Sequence, residues 1–278
     1  MVVGAWIFAA LPHAATVSSP SRLPRSGEDG LHREFGYLPM RDGIKIAYVI
    51  YRPRKEGRFP ALLKYDPYAS DGMMPADVAD YLAHGYAVIG ANVRGSGCSE
   101  GGFSLFQPQE GEDGAGLIEW IGTQPWCTGS VGMIGNSYPG HTQLLTAARR
   151  PKHLKAIAAG GLTASIYREA FRPGGGLNLS FASRWSFTLQ PASAQAGAEA
   201  RIGWGDGDCR EIRARQSPNR TFYDVQQHPL YDGWWQPRSL ETYVDQIEVP
   251  TMIVQGWAGS ADRILGRPVS VPATQDGQ

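Results

Sequence analysis

Two serines of this 278-residue chain lie between glycines at a spacing that can make a serine hydroxyl a nucleophile. Ser99 lies in the run GCSEG at 97–101, and Ser137 lies in the run GNSYPG at 135–140. Such a serine is reactive when it occupies a sharp turn between a strand and a helix, because the turn exposes its hydroxyl. The helix N-terminus also offers free amides to developing negative charge. The motifs therefore predict acyl-transfer chemistry at a serine that has a strand before it and a helix after it.

Ser137 has this context. The apolar run 130–135 predicts a buried strand, and the spacing of apolar residues over 140–149 predicts a helix. Gly135 and Gly140 leave the space that a strained turn needs. We therefore predict that Ser137 is the nucleophile.

The residue after this serine supplies a second part of the site. Tyr138 precedes the predicted helix directly, so its backbone N–H is free of intrahelical partners and lies at the positive end of the helix dipole. Pro139 fits the first helical turn, where its missing N–H is harmless. We predict that the Tyr138 amide donates to the oxyanion.

Ser99 lacks this context. A strand precedes it, but the chain then continues through the glycine-rich run 95–102, and no helix opens at the serine. We predict that Ser99 is a loop residue without a catalytic role.

Alternating strands and helices are predicted around Ser137. The strand-like segments are 34–40 and 44–52, which form a hairpin, then 60–65, 86–91, 130–135, 154–160 and 250–255. The helical segments are 76–83, 109–122, 140–149 and 238–246. This alternation predicts an α/β fold with a mostly parallel sheet and helices on both faces.

The alternation is interrupted once. Residues 163–235 are rich in glycine, arginine and aromatic side chains, which predicts an inserted cap of irregular helices. The core would then comprise residues 34–162 and 236–257. We expect the cap aromatics, Trp185 among them, to pack with one another and to form an apolar wall of a substrate pocket. The arginine-rich stretch 210–220 is interpreted as a solvated face.

The two ends of the chain have a different character. Residues 1–33 begin with a short apolar run and continue as a Ser/Pro-rich linker, which is similar to a signal peptide. No Lys or Arg precedes Arg22, so export and a cytoplasmic location stay equally open. Residues 258–278 show no periodic spacing of apolar residues and are interpreted as an irregular tail.

Composition excludes several classes of partner. The chain has 26 basic and 26 acidic side chains, a balance that argues against nucleic acid, whose phosphates need a basic surplus. No apolar run reaches the roughly 20 residues that span a bilayer. The spacing of Cys98, Cys127 and Cys209 gives no metal motif. We expect no metal or other cofactor and three free thiols, although one pair could bridge in an oxidising compartment; the oligomeric state is left open.

A longer string of motifs resembles the Xaa-Pro dipeptidyl-peptidase (peptidase S15) and cocaine-esterase-like (CocE/NonD) serine hydrolases. It covers about residues 35–257 and consists of Pro67-Tyr68, Asn92-x-Arg94-Gly95-x-Gly97-x-Ser99-x-Gly101, Glu112-Asp113, Ile118-x-Trp120, Gln124-Pro125-Trp126-Cys127-x-Gly129, Val131-Gly132-Met133-x-Gly135-x-Ser137-Tyr138-x-Gly140, His228-Pro229, Tyr231-Asp232, Trp235, Val249-Pro250 and Gly256-Trp257. The resemblance implies an α/β-hydrolase fold with a helical cap. It also implies that an amide or ester of a small molecule or peptide is cleaved through an acyl-enzyme.

The resemblance assigns roles to three residues. It implies that Ser137 is the nucleophile and that the Tyr68 hydroxyl joins the Tyr138 amide in holding the oxyanion. A position at the carboxyl end of a predicted strand suits Tyr68, because ligands gather there in open α/β sheets.

The remaining catalytic groups depart from the family pattern. The family acid is expected directly after Gly256-Trp257, where Gly259 stands instead, and Asp262 is the nearest substitute. No histidine follows His228, which we interpret as structural. His141 lies one helical turn beyond the serine and is not expected to face its hydroxyl.

These departures predict an impaired serine hydrolase. The resemblance also implies a later sheet strand and a C-terminal β-domain, which the tail does not match, so a C-terminally truncated member is expected. The alternative is a non-catalytic ligand-binding pseudoenzyme or a gene fragment.

Overall fold

The computed structural model describes residues 32–73 and 75–255. The signal-like segment lies outside the described residues except for His32 and Arg33, which begin the first strand. The tail predicted over 258–278 lies outside them entirely.

One seven-stranded sheet organises the described residues. Its strands are β1 (His32–Pro39), β2 (Lys45–Arg52), β3 (Phe59–Asp66), β4 (Ala87–Asn92), β5 (Cys127–Asn136), β6 (Leu154–Gly160) and β7 (Thr251–Val254). They are ordered β1-β2-β4-β3-β5-β6-β7. The β1–β2 and β2–β4 pairs are antiparallel, and all other pairs are parallel. The predicted α/β fold with a mostly parallel sheet is confirmed.

Seven α-helices accompany the described part of the sheet. They are α1 (Ala79–Ala83), α2 (Pro108–Thr123), α3 (Tyr138–Ala147), α4 (Leu179–Arg184), α5 (Gln190–Gly203), α6 (Gly207–Arg215) and α7 (Thr221–Gln227). The last four lie in the cap segment, residues 163–235. Among the described residues, no helix combines the length and hydrophobicity that crossing a bilayer requires.

Alternation of side chains along the strands creates a core on each face of the sheet. In β4, Ile89 belongs to the larger cluster, which includes residues of α2 and α3, whereas Val88 belongs to a second cluster with Val78 and Leu82 beside α1. Every residue of β4 is buried. Helices therefore cover both faces, as a buried parallel sheet requires.

Strand register brings together the segments that carry the candidate site. Asp66 pairs with Asn92 at the carboxyl ends of β3 and β4, and Asn136 pairs with Gly160 at the carboxyl ends of β5 and β6. The loops that leave these strands consequently meet at one edge of the sheet.

The predicted helix over 238–246 is wrong. The segment forms three separate 3₁₀ turns at Gln236–Arg238, Leu240–Thr242 and Val244–Gln246. Ser239 interrupts them with an extended backbone (φ −95°, ψ 130°), and its hydroxyl donates to the carbonyl of Trp235 (3.2 Å). A serine that bonds the backbone in this way competes with helix formation.

The prediction of three free thiols is also wrong. Cys98 and Cys209 form a disulfide across 111 positions of the chain, while Cys127 is free and buried. The bond joins the loop after β4 to α6, and both cysteines lie in a small buried cluster with Ala47 and Ala198. Packing of the cap segment against β2 brings the two cysteines together, and sequence spacing carries no sign of this packing.

Candidate functional site

Ser137 lies at the bend where β5 ends and α3 begins. Its φ of 68° and ψ of −126° place it in a region that non-glycine residues rarely adopt. Its N–H donates to the carbonyl of Gly160 (2.9 Å), and its carbonyl accepts the N–H groups of Gly140 (2.8 Å) and His141 (3.1 Å). Ser137 is exposed, whereas the next three residues are buried. The bend that the sequence predicted is present.

Two glycines make room for this bend. A Cβ atom on Gly140 would lie 2.4 Å from the carbonyl oxygen of Gly160. A Cβ atom on Gly135, which has a φ of 148°, would lie 2.5 Å from the Cβ atom of Pro139. Because real Cβ atoms do not approach other atoms this closely, Gly140 is required if α3 is to pack against β6, and Gly135 if α3 is to pack against β5.

Gly140→Ala is expected to lower the free energy of unfolding by about 1–3 kcal/mol, because the added methyl group collides with the backbone of β6. Gly116→Ala is the matched control. A Cβ atom on Gly116, within α2, would lie 3.4 Å from the Met40 sulfur, an ordinary contact. That change should raise stability by about 0.5–1 kcal/mol, as alanine does in helices. Urea denaturation of both variants measures the effects, and equal stabilities would contradict this account of the bend.

Tyr68 lies in the loop that leaves β3, and its backbone is held on both sides. Its N–H donates to Asp66 Oδ1 (2.8 Å), and its carbonyl accepts from Asn92 Nδ2 (2.7 Å). Asp66 Oδ2 in turn accepts from the Ser70 hydroxyl (2.6 Å). The preceding carbonyl, on Pro67, accepts from a side chain of the cap segment. These bonds fix Tyr68 at the carboxyl edge of the sheet.

The Tyr68 hydroxyl lies beside the candidate nucleophile. It accepts a hydrogen bond from the indole Nε1 of Trp185 (3.0 Å), and the Ser137 side chain lies close enough to act on it. Burial raises the pKa of Tyr68 to about 12, so the hydroxyl keeps its proton at neutral pH. It is therefore able to donate a hydrogen bond to a group bound at Ser137.

Tyr138 is anchored by its side chain. Its hydroxyl donates to Glu110 Oε1 (2.8 Å) and accepts from the backbone N–H of Phe106 (3.1 Å). Its ring packs against Phe106 with the centroids 4.1 Å apart, and it lies parallel to the Trp185 ring at 5.9 Å. Because Tyr138 is the first residue of α3, its own amide has no partner within the helix. The predicted oxyanion donor is thus rigidly positioned.

Glu110 lies beneath the bend and was not identified from the sequence. Its carboxyl group is completely buried, and its Oε2 atom has no hydrogen-bond partner among the residues that the structure describes. Burial raises the pKa of Glu110 to about 8, so the carboxyl group is mostly protonated at neutral pH. The sequence showed it only as one of the acids at the start of a helix.

Ser99 is a structural residue, as predicted. Its hydroxyl is buried, donates to the carbonyl of Asn92 (2.7 Å) and accepts from the N–H of Ala47 (2.9 Å). With both hydrogen bonds made inside the core, this serine cannot reach a substrate.

His141 also has the structural role that the sequence predicted. Its Nδ1 donates to the carbonyl of Ser137 (3.1 Å), and its Nε2 accepts from the N–H of Thr163 (3.2 Å) and lies 2.8 Å from the Thr163 hydroxyl. Burial lowers its pKa to about 4, so the ring is neutral. It stabilises the bend through the backbone carbonyl of Ser137 and makes no hydrogen bond with the Ser137 hydroxyl.

The other described histidines also bond elsewhere. His228 Nδ1 lies 2.7 Å from Asp232 Oδ2, and its ring stacks on Trp234. His153 bonds the Gly129 carbonyl. His84 bonds the Asp80 carbonyl at the end of α1, and His32 lies beside Glu34. The predicted substitute acid Asp262 lies outside the described residues.

A cavity of about 430 Å³ lies in the cap segment beside Trp185. Its lining residues are Asn178, Ser180, Phe181, Arg184, Trp185 and Leu189. The lining therefore combines two aromatic rings with a guanidinium and two smaller polar side chains. Trp185 borders this cavity and also bonds the Tyr68 hydroxyl, so the cap segment contacts the candidate site through this residue.

The known proteins to which this chain is similar are hydrolases. A family profile described as X-Pro dipeptidyl-peptidase (S15 family) matches residues 42–263. The chain is 30% identical over 245 residues to the cocaine esterase of Rhodococcus sp. (strain MB1 Bresler), and the match covers 79% of this chain and 42% of that protein. It is 32% identical over 199 residues to the Xaa-Pro dipeptidyl-peptidase of Lactobacillus helveticus (strain DPC 4571), covering 63% of this chain and 24% of that protein.

A solved hydrolase structure is also similar to this chain. The CocE/NonD family hydrolase from Staphylococcus aureus superposes with a TM-score of 0.63 at 30% identity, covering 79% of this chain and 40% of that one. The chain thus spans less than half the length of each of these relatives.

Proposed function

The chain belongs to the X-Pro dipeptidyl-peptidase (S15) family, and we propose that Ser137 is the nucleophile with which it cleaves an ester or amide through an acyl-enzyme. One observation carries the proposal. Exposed Ser137 lies at a strained strand-to-helix bend, and the Tyr68 side chain, whose pKa Ser137 lowers, lies beside it. Tyr138, the next residue, begins α3, and its backbone amide is free of partners within the helix.

The proposed first step forms a bond from Ser137 Oγ to the substrate carbonyl carbon. The carbonyl π electrons move onto its oxygen, where the Tyr68 hydroxyl and the Tyr138 N–H donate hydrogen bonds. Removing one such donor typically lowers turnover by roughly 10²–10³. The oxyanion then collapses and expels the alcohol or amine, which takes up the proton that Ser137 released. Hydrolysis of the acyl-enzyme restores the serine.

This sequence of steps needs a base to receive the serine proton. Each described histidine is bonded elsewhere, as set out above, and His141 holds the carbonyl of Ser137 while making no bond with its hydroxyl. We propose that the 278-residue chain on its own turns over slowly, since loss of the base from a serine protease costs roughly 10⁶ in turnover. The same observation favours a second candidate function, ligand binding without turnover.

The substrate belongs to one of two classes. The relatives are a cocaine esterase and an Xaa-Pro dipeptidyl-peptidase, which suggests a small ester or a proline-containing peptide for this chain as well. Both classes present a carbonyl carbon to the serine, so the mechanism proposed for Ser137 is the same for each.

Reaction with a fluorophosphonate tests the proposal without requiring turnover. We expect one covalent adduct on Ser137, formed over hours because none of the histidines that the structure describes is placed to act as its base. Peptide mass spectrometry locates the adduct, and the Ser137→Ala variant should carry none.

Ser180→Ala is the matched control, because Ser180 lines the cap cavity and is not part of the bend, and its removal should leave the adduct in place. An adduct on a different serine, or none on the folded protein, would refute Ser137 as the nucleophile. Saturable binding of an acyl or prolyl ligand without an adduct would favour the second candidate function.

A further inference from the structure

Trp185 contacts both residues that the proposed mechanism uses to hold the oxyanion, the hydroxyl of Tyr68 and the ring of Tyr138. Its indole Nε1 donates to the Tyr68 hydroxyl at 3.0 Å. Its ring lies parallel to the Tyr138 ring, at an interplanar angle of 3° and a centroid distance of 5.9 Å. Trp185 is only 5% exposed, so these contacts are made out of water.

The direction of the first bond is fixed by chemistry. An indole N–H donates and never accepts, so the Tyr68 oxygen must be the acceptor. The tyrosine proton then points away from the indole, and Ser137 is the other side chain beside this hydroxyl. Accepting one hydrogen bond also polarises a hydroxyl and strengthens the bond that it donates.

We infer that Trp185 is a positioning residue that orients the Tyr68 hydroxyl so that its proton faces the substrate oxygen bound at Ser137. This inference rests on the proposed function. It assigns to the cap segment a part in the chemistry, because Trp185 begins the π-helical turn Trp185–Leu189 that joins α4 to α5.

The position of the tryptophan is itself well determined. Asn178 caps α4 by accepting from the N–H of Phe181, and its amide donates to the carbonyl of Ala170 (3.1 Å). On the far side of the π-helical turn, the side-chain amide of Gln190 donates to the carbonyl of Pro67 (2.9 Å), next to Tyr68. The helices on either side of Trp185 are therefore fixed, so that its indole N–H meets the tyrosine.

The rate of fluorophosphonate labelling at Ser137 measures this role. Trp185→Phe removes the N–H but keeps an aromatic ring, and we expect it to slow labelling about tenfold, the value of one hydrogen bond. Trp204→Phe is the matched control. The Trp204 indole N–H is buried with no hydrogen-bond partner in the described part of the chain, so its removal should leave the rate unchanged.

A double-mutant cycle separates positioning from a general loss of structure. Tyr68→Phe removes the group through which Trp185 is inferred to act, so adding Trp185→Phe to it should change the labelling rate by less than about twofold. A further tenfold loss in that background would overturn the inference. If Trp185→Phe does not fold, benzothienylalanine at position 185 keeps the ring shape without the N–H.

A spectroscopic measurement decides the inference even if Ser137 is never labelled. With 3,5-difluorotyrosine at position 68, ¹⁹F NMR follows the ionisation of that hydroxyl. Burial raises the pKa of this hydroxyl, the hydrogen bond from Trp185 lowers it, the charge of Asp66 raises it and Ser137 lowers it. Loss of the indole N–H should therefore raise the titration midpoint, whereas an unchanged midpoint in Trp185→Phe would overturn the inference. Absence of labelling in the wild-type chain would instead refute the proposed function.

Discussion

Arg201→Met is expected to lower the free energy of unfolding by about 3–5 kcal/mol, the cost of leaving a buried charge without its partner. Arg201 is fully buried and donates through Nε and Nη2 to Asp206 Oδ2 at 2.9 and 2.6 Å. Without it, the donors to the Asp206 carboxylate within the described part of the chain would be the Tyr37 hydroxyl and the N–H of Cys209. Neither donor carries a charge that offsets the carboxylate.

The same arginine ties the cap segment to the sheet. It lies in α5, and its Nη1 donates to the carbonyl of Tyr48 in β2 (2.6 Å). Its guanidinium also lies over the ring of Phe35 in β1, 5.0 Å from the centroid. The substitution should consequently loosen the packing of α5 on the first two strands.

Arg215→Met provides the comparison. Arg215 pairs with Glu211 on the surface of α6, where the side chains are 80% and 72% exposed. A pair of this kind contributes about 0–0.5 kcal/mol, because water screens it. Urea denaturation at neutral pH measures both variants. If Arg201→Met were no less stable than Arg215→Met, the buried pair would have no structural importance.

Sequence reasoning identified the parts of the molecule that adjacent residues determine. The bend at Ser137 depends on six consecutive positions, 135–140, together with the strand and helix beside them. Each of these parts has a local signature in the sequence: the spacing of apolar residues, the two glycines, or the proline in the first turn of the helix. The distinction between Ser137 and Ser99 rested on the same local information, and the buried hydrogen bonds of Ser99 agree with it.

Contacts between distant segments had no such signature. Trp185 appeared in the sequence as one of several cap tryptophans, and its bond with Tyr68 joins positions 117 residues apart. Arg201 resembled any helical arginine, although it is fully buried, whereas most of the arginine-rich stretch 210–220 is exposed as predicted. Burial of a polar group is decided by what packs over it, and a single sequence does not reveal that.

The histidines illustrate an intermediate case. The interpretation of His141 as structural followed from helix geometry, since a residue four positions after the serine lies one turn along the helix. Its partner Thr163 was not predictable, because that contact joins α3 to the loop after β6. Local geometry could thus exclude a role for a residue without showing what the residue contacts.

Removal of the Cys98–Cys209 bond, by Ala at both positions, is expected to lower the free energy of unfolding by about 4–5 kcal/mol. The bond spans 111 positions, and cross-linking so long a loop removes much of the conformational entropy of the unfolded chain. The loop contains Ser137, α3 and most of the cap segment, so the same variant should weaken the contact between Trp185 and Tyr68.

The effect of the bond can be separated from the effect of lost packing. The variant with Ala at positions 98 and 209 keeps only the buried free thiol of Cys127, so its stability should not respond to a reductant. Reduction of the bond in the wild-type chain should remove most of the about 4–5 kcal/mol expected from the disulfide. Reduction restores the entropy of the unfolded chain while leaving both sulfur atoms in the core. Urea denaturation with and without reductant, with mass spectrometry to confirm reduction, makes the comparison. If the reduced chain unfolded at the same urea concentration as the oxidised chain, the cap segment would be held by packing and by the Arg201 network alone.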